Sequence, residues 1–220
     1  MKYLRRVGQS LLLTTLLLSI GGCAIFGALA SKLPEPKTDA AYKGLAGQSV
    51  ALMVWADDGV RIDWPLLSLD TANALQLKLT EAANAKEKTV EGISFPNRND
   101  SMLRWQRENP GWAAVPITET ALRFRGITRL IVIEYENFGT RSSASMELFR
   151  GAATVTLRVV EIQNGQAKIA FEENGIQAFF PRKSREEGVL GGSDQAMYAG
   201  VVDLITAEIA KRFVPHYADD

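Results

Sequence analysis

The chain has 220 residues, of which 46% are apolar and 23% charged, a composition that excludes a disordered or fibrous chain and fits one globular domain. Its 25 basic residues equal its 25 acidic ones, so no net charge points to nucleic acid as a partner. The single cysteine, Cys23, and the single histidine, His216, exclude an internal disulfide and any zinc site built from several Cys or His ligands.

The N-terminal residues combine positive charge with a short apolar run. Three basic residues precede an apolar segment of about ten residues at 11–20. This length is typical of a signal-peptide core, since a membrane-spanning helix needs roughly 20 apolar residues. The alternative is that residues 11–20 form a short buried helix and that Cys23 is an ordinary core cysteine.

Cys23 follows an aliphatic residue and two small ones in Ile20-Gly21-Gly22-Cys23, which resembles the bacterial lipobox. The resemblance implies cleavage after Gly22, a diacylglycerol thioether on Cys23 and a further acyl chain such as palmitate on the new amino group. Several acyl chains anchor a protein durably, because each buried methylene contributes about 0.8 kcal/mol. Ala24 stands where an aspartate usually retains lipoproteins in the inner membrane, so the resemblance implies an outer-membrane lipoprotein facing the periplasm.

Residues 23–43 are small and polar, and they show no sustained apolar period. We predict a flexible tether that reaches at most ~65 Å at ~3.3 Å per residue. The expected organisation is therefore a cleaved signal peptide over residues 1–22, a lipidated N-terminus and tether over 23–43, and a single domain over 44–220.

The first half of this domain predicts a strand, a helix and a second strand. Residues 50–55 form a continuous apolar run typical of a strand buried on both faces, and turn residues follow at 57–59. Apolar residues recur at helical spacing over 68–84, and residues 89–95 alternate weakly up to Pro96. Strand, helix and strand in this order predict a parallel crossover.

Two short helices and the central strand come next. The first helix is expected over 99–108, capped by Asn99 or Asp100 and ended by Asn109-Pro110-Gly111, and the second over 116–124. Residues 128–135 are β-branched and apolar without alternation, which predicts the middle strand of the sheet.

The last part of the chain predicts a hairpin and a closing helix. Asn164-Gly165 supplies the tight turn between strands at 153–161 and 167–172. Ser193 or Asp194 caps a final amphipathic helix that covers the sheet. We therefore predict a mixed α/β fold, a single three-layer domain whose partly parallel sheet is flanked by helices.

No phosphate-binding glycine loop, dinucleotide-binding turn, serine-nucleophile elbow or zinc-protease motif occurs in the chain, and no catalytic residue, cofactor or metal is predicted. The most site-like cluster is Asp57, Asp58, Arg61 and Asp63, on the loop that leaves the first strand, where open α/β sheets collect ligands. Three carboxylates within seven residues could hold a hard cation. The alternative is a turn leading into a helix, since turns favour these residues.

Aromatic residues give a second set of candidates. Phe179 and Phe180 precede basic residues at 182–185 and are candidates for contact with a partner or an anionic headgroup, as are Trp105 and Trp112. Ordinary core packing is the alternative for all four aromatic residues. Two glutamates offset the basic residues, which argues against a nucleic-acid surface.

The order of elements, with the strand at 50–55, Gly126-Ile127-Thr128 leading into 130–134, and 155–161 followed by Asn164-Gly165, resembles the α/β domain of bacterial outer-membrane lipoproteins. These lipoproteins are related to the curli secretion channel CsgG, the export factor PelC and the penicillin-binding-protein activator LpoB. The correspondence covers about residues 44–220. It implies a periplasmic module that assembles with itself or with an envelope machine.

Three hypotheses are open, the first two of which follow from the resemblance. The first is a non-enzymatic structural or assembly component of a cell-envelope export or biogenesis system, with the membrane as partner through the lipid on Cys23 and with a second copy or envelope proteins as further partners. The second is a monomeric tethered module that regulates an inner-membrane cell-wall enzyme, or a lipoprotein that shares only the fold. An enzyme or metal protein using the 57–63 loop is the third reading.

Overall fold

The computed structural model describes residues 36–182 and 188–217. The predicted signal peptide and its cleavage site at Gly22 and Cys23 lie outside these residues, as does 183–187. A compact unit is formed by Asp39–His216. Ala40 and Tyr42, which belong to the predicted tether, are buried in this unit.

One four-stranded mixed sheet organises the compact unit. The first pair of strands is parallel, with Val50 opposite Arg129, and the remaining pairs are antiparallel. The apolar runs at 50–54 and 130–133 are buried as predicted, while Trp55 is half-buried. The strands follow the order β1 (Val50–Ala56), β2 (Arg129–Arg141), β3 (Phe149–Gln163) and β4 (Gln166–Phe180).

Helices lie on both faces of the sheet, which confirms the predicted three-layer α/β fold. The helices are α1 (Asp58–Asp63), α2 (Leu67–Asn84), α3 (Asn99–Glu108), a 3-10 helix (Pro110–Ala114), α4 (Ile117–Ala121) and α5 (Asp194–Ala210). The larger apolar cluster joins α2 and α5 to one face, and its fully buried members include Leu75, Ile133 and Ile205. A smaller cluster joins α3 and α4 to the other face through Met102, Ala121 and Met53.

The predicted second strand at 89–95 is wrong. Residues 88–92 form turns, with Gly92 at φ +73°. Only Ser94 reaches the sheet, in a single parallel bridge to Ser49. The Val50 N–H donates to the Ser94 carbonyl at 2.7 Å. The chain turns away because the glycine adopts a left-handed conformation that an extended strand does not allow. The parallel pairing predicted between the first strand and residues 89–95 is thereby reduced to a single bridge.

Two helix starts also differ from prediction. Asn99 does not cap α3, because its amide instead donates to Asn73 Oδ1 at 2.9 Å and Gln76 Oε1 at 2.8 Å on α2. The predicted turn at 57–59 is the beginning of α1, in which Asp57 Oδ1 accepts from the Val60 N–H at 2.9 Å. The Asn99 side chain makes a tertiary contact and the Asp57 side chain caps a helix, and the sequence spacing alone does not decide between these roles.

The hairpin and the closing helix agree with prediction. Asn164 at φ +53° and Gly165 at φ +74° form the tight turn, as paired left-handed residues should. Ser193 caps α5 by accepting from the Ala196 N–H at 3.1 Å. The strands of the hairpin are longer than predicted, because pairing continues through polar residues to Phe149 on one side and Phe180 on the other.

Candidate functional site

A cleft of about 780 Å³ lies at the carboxyl end of β1. One wall comes from α1 and the start of α2, and the opposite wall comes from α3 and the 3-10 helix. Since α2 and α3 cover opposite faces of the sheet, the cleft lies across the outer edge of β1. Its lining residues are Val54, Trp55, Ala56, Asp58, Arg61, Pro65, Leu66, Ser68, Leu69, Asp100, Leu103, Gln106, Arg107, Pro110, Trp112 and Ala113.

Backbone hydrogen bonds show which groups of β1 face this cleft. The Ser49 carbonyl accepts from the Thr128 N–H at 2.8 Å and so points toward β2, whereas the Val50 N–H points outward to Ser94. The Val54 carbonyl also points outward, since it accepts from Gln106 Nε2 at 3.3 Å. Successive strand residues alternate in direction, so Ala56 is the next outward residue.

Gln106 is the buried polar side chain of the cleft. It is 8% exposed, and its Oε1 atom has no hydrogen-bond partner in the described part of the chain. A buried acceptor without a donor costs about 1–3 kcal/mol. The Gln106 amide thus caps the β1 edge with its donor and leaves its acceptor unsatisfied.

The remaining walls are largely apolar. The rings of Trp55 and Trp112 meet edge to face, with centroids 6.4 Å apart. Leu66 is 61% exposed where α2 begins, and Leu69 and Leu103 line the two sides. Apolar walls around a few polar groups are typical of a binding cleft of this size.

The charged residues of the cleft are paired with one exception. Asp58 lies 2.5 Å from the Arg61 guanidinium, and Asp100 accepts two hydrogen bonds of 3.1 Å from Arg98. Burial raises the pKa of the Asp100 carboxyl, but the bonds from Arg98 outweigh it, and this pKa lies below its ordinary value of 3.8. Arg107 is exposed and forms no ion pair with the residues at 36–182 or 188–217.

The predicted loop cluster divides between two places. Asp58 and Arg61 line the cleft. Asp57 caps α1, and Asp63 is exposed at the last position of that helix. Within 36–182 and 188–217, no group of three or more His, Cys, Asp or Glu side chains is arranged to hold a metal ion.

The four predicted aromatic contacts are also separated. Trp112 lines the cleft, while the Trp105 ring packs against Phe124 with centroids 4.7 Å apart. Phe179 lies on β4, 41% exposed, with the Arg150 guanidinium 4.8 Å from its ring centre. Phe180 packs onto the larger cluster. Only Trp112 therefore belongs to the cleft.

Sequence reasoning missed Trp55, Leu66, Leu103, Gln106 and Arg107 as site residues. A faint signal was present on α3, where residues 103, 106 and 107 recur at helical spacing, followed by Pro110 at the start of the 3-10 helix. That spacing shows a shared helix face, but not what the face meets. The opposite wall comes from residues 58–69, and only folding brings the two segments together.

No helix within the described residues is both long and apolar enough to cross a membrane. No protein-family model and no curated protein matches the chain.

Three solved structures show low similarity to the chain. The PelC dodecamer from Paraburkholderia phytofirmans is 9% identical, with 81% of this chain and 94% of that chain covered and a TM-score of 0.39. Lipoprotein GNA1162 from Neisseria meningitidis is 16% identical, covering 75% and 98%, with a TM-score of 0.40. The hypothetical protein CT253 from Chlamydia trachomatis is 14% identical, covering 76% and 97%, with a TM-score of 0.36. Because these similarities are low, the fold is assigned from the strands and helices of this chain alone.

Proposed function

We propose that the chain is a lipid-anchored component of the bacterial cell envelope, attached to the outer membrane through Cys23 and facing the periplasm. Its role is non-enzymatic, as a structural or assembly part of an export or biogenesis system. The observation that carries the proposal is the position of the only cysteine, which directly follows Ile20-Gly21-Gly22 as the lipobox requires.

The electrostatics of the cleft support binding rather than proton transfer. A general acid near neutral pH needs a raised carboxyl pKa, whereas the pKa of Asp100 is lowered. Asp58 is held by Arg61 at 2.5 Å. The lowered pKa of Asp100 favours its ionised form, which suits recognition of a partner.

The distance between the anchor and the compact unit supports action away from the bilayer. Residues 23–38, sixteen including Cys23, precede Asp39, where the compact unit begins. At ~3.3 Å per fully extended residue they reach at most about 50 Å. The domain can therefore meet partners that do not touch the outer membrane.

A second candidate is the monomeric module that regulates an inner-membrane cell-wall enzyme. This module has the same anchor and tether but acts as a monomer. The observation that favours it is that both walls of the cleft come from one chain, so the cleft is complete without a second subunit.

Mass spectrometry of the N-terminal peptide tests the anchor. The unsubstituted chain should carry acyl chains on residue 23, and Cys23→Ser should carry none. Ala24→Asp is the matched control, because it retains the cysteine and should stay acylated while moving to the inner-membrane fraction. An unmodified Cys23 peptide in the membrane fraction would contradict the proposal.

The native mass of the lipidated chain in mild detergent separates the two candidates. A closed oligomer of many copies is expected for the assembly component. A single copy per particle is expected for the tethered regulator and would rule out a self-assembled collar.

A further inference from the structure

We propose that the cleft binds an extended apolar peptide segment of a partner protein, which adds as a strand to the outer edge of β1 at Val54–Ala56. The partner is recognised by its backbone and by apolar side chains. This proposal does not depend on lipidation of Cys23, since every group it uses lies within the compact unit.

The first argument is the open edge of the sheet. β1 is the outermost strand, and within the described residues only Ser94 pairs with its outer side. Val54 and Ala56 lie beyond that bridge and line the cleft. An outward N–H or carbonyl on an edge strand is the group to which an added peptide strand binds.

The second argument is the state of Gln106. Its side-chain amide carries one carbonyl and one N–H₂ group, so it offers the same kinds of hydrogen-bond donor and acceptor as a backbone peptide group. The N–H₂ group donates to the Val54 carbonyl, where a neighbouring strand would donate. The buried Oε1 atom has no donor. Rotation of this amide on arrival of a peptide would release the Val54 carbonyl and give Oε1 a backbone N–H.

The third argument is the placement of the walls. Side chains alternate between the two faces of a strand, so successive residues of an added strand would point toward opposite walls. One wall presents Leu66 and Leu69, and the other presents Leu103 and Trp112. The segment should therefore be apolar at consecutive positions, unlike a strand with one solvated face.

The rim supplies a charge preference. Arg107 is exposed and has no ion pair among the described residues, whereas Arg61 is held by Asp58. A carboxylate at the end of the peptide segment would pair with Arg107. The preferred segment is thus a short apolar run followed or preceded by an acidic residue.

A phage-displayed library of random heptapeptides, selected on the full chain in mild detergent, tests the proposal. Enriched sequences should carry three or more consecutive apolar residues and an acidic residue. Synthetic peptides of those sequences should bind at least about tenfold more weakly to Leu66→Gln. The matched control is Leu77→Gln, since Leu77 is 58% exposed on α2 but does not line the cleft, and its affinity should be unchanged.

Backbone methylation separates strand addition from simple apolar binding. N-methyl groups on one alternating set of peptide residues should abolish binding, and on the other set should leave it nearly intact, because only one set faces β1. Arg107→Ala should weaken acidic peptides several-fold, while Arg104→Ala, three residues away on α3, should not.

Three outcomes would overturn the proposal. They are a selection with no enrichment over background, equal binding to Leu66→Gln and Leu77→Gln, and binding that tolerates methylation of both backbone sets. Repeating the selection with Cys23→Ser keeps this test apart from that of the anchor. Peptide binding without acylation would leave the strand-addition proposal standing and remove only the lipoprotein proposal.

Discussion

The two edges of the sheet are built in opposite ways. β1 has seven residues, six of them buried, and helices cover both of its faces. β4 has fifteen residues, most of them exposed, including Lys168 and Glu172. Charge on an edge strand discourages pairing with another chain. The β4 edge is thus protected by its own side chains, whereas the β1 edge depends on its helices, and these leave a gap at the cleft.

Backbone irregularity strengthens this contrast. Gly175 in β4 has φ +71° and lies near a register shift that follows Val155 on β3. Such bulges twist an edge away from flat pairing. β1 pairs with β2 in unbroken register from Val50 to Ala56. The regular edge is therefore the one that can accept a further strand.

Gly151→Ala tests how firmly the β4 half of the sheet depends on α5, and it should have the largest effect. A Cβ on Gly151 would clash with Val201 Cγ2 and would lie 3.0 Å from the Met197 carbonyl oxygen. We expect a loss of about 2–3 kcal/mol in the free energy of unfolding by urea titration. Gly139→Ala is the control, since nothing lies within 4 Å of its Cβ. Equal losses would contradict the close approach of α5.

Tyr135→Phe tests the centre of the sheet, between the two edges. The Tyr135 hydroxyl is buried, and its oxygen lies 2.7 Å from Thr71 Oγ1 on α2. Burial raises the pKa of this phenol, which therefore stays protonated. Removing the hydroxyl leaves Thr71 unsatisfied and should cost about 1–2 kcal/mol. In a double-mutant cycle with Thr71→Val, additive losses would argue against the bond.

Asp194→Asn tests an ion pair at the far end of the β2–β3 pair. Hydrogen bonds from Arg141 at 2.6 Å and from Thr140 lower the pKa of Asp194 below 3.8. A lowered pKa stabilises the fold above the unfolded-state value, and this contribution is lost as pH falls through the folded-state value. We expect Asp194→Asn to cost less than about 1 kcal/mol at neutral pH, because the pair is partly exposed.

The same substitution should cost nothing in strong acid. Urea titrations at about pH 7 and about pH 2 measure both differences. A gap that persists at the lower pH would show that Asp194 acts through something other than its charge.

Lys168→Val should have the smallest effect on stability and tests the protection of the β4 edge. Lys168 is 72% exposed in its side chain and contacts Glu161 at 3.3 Å, so its loss should change the unfolding free energy by less than about 0.5 kcal/mol. Beside the exposed Ile169, the new valine should promote association that grows with concentration in sedimentation runs. Lys88→Val, in an exposed turn, should not.

Elements with a strong local pattern were predictable. The helix at 67–84, the strand at 129–135 and the turn at Asn164-Gly165 follow from apolar spacing and backbone preference. The strand predicted at 89–95 was wrong, because its alternation was weak and Gly92 turns the chain. The predicted cap at Asn99 was wrong for another reason, because its side chain bonds to α2 and not to the start of its own helix.

The candidate site was predictable only in fragments. Asp58, Arg61 and Trp112 were named from the sequence and do line the cleft. The residues that make it a cleft at a strand edge, Val54 and Gln106 above all, carry no motif. Val54 and Gln106 are joined by a hydrogen bond between residues 52 positions apart, and the sequence pattern does not predict such a contact.

The sequence by itself determined the alternation of helices and strands, the buried character of β1 and β2, and the lipobox pattern at Cys23, since each depends on neighbouring residues. The tertiary structure decided which edge of the sheet stays open. The backbone of any strand offers the same N–H and carbonyl groups. Whether those groups meet a neighbouring strand, the Gln106 amide or an open cleft depends on how α2 and α3 pack on opposite faces.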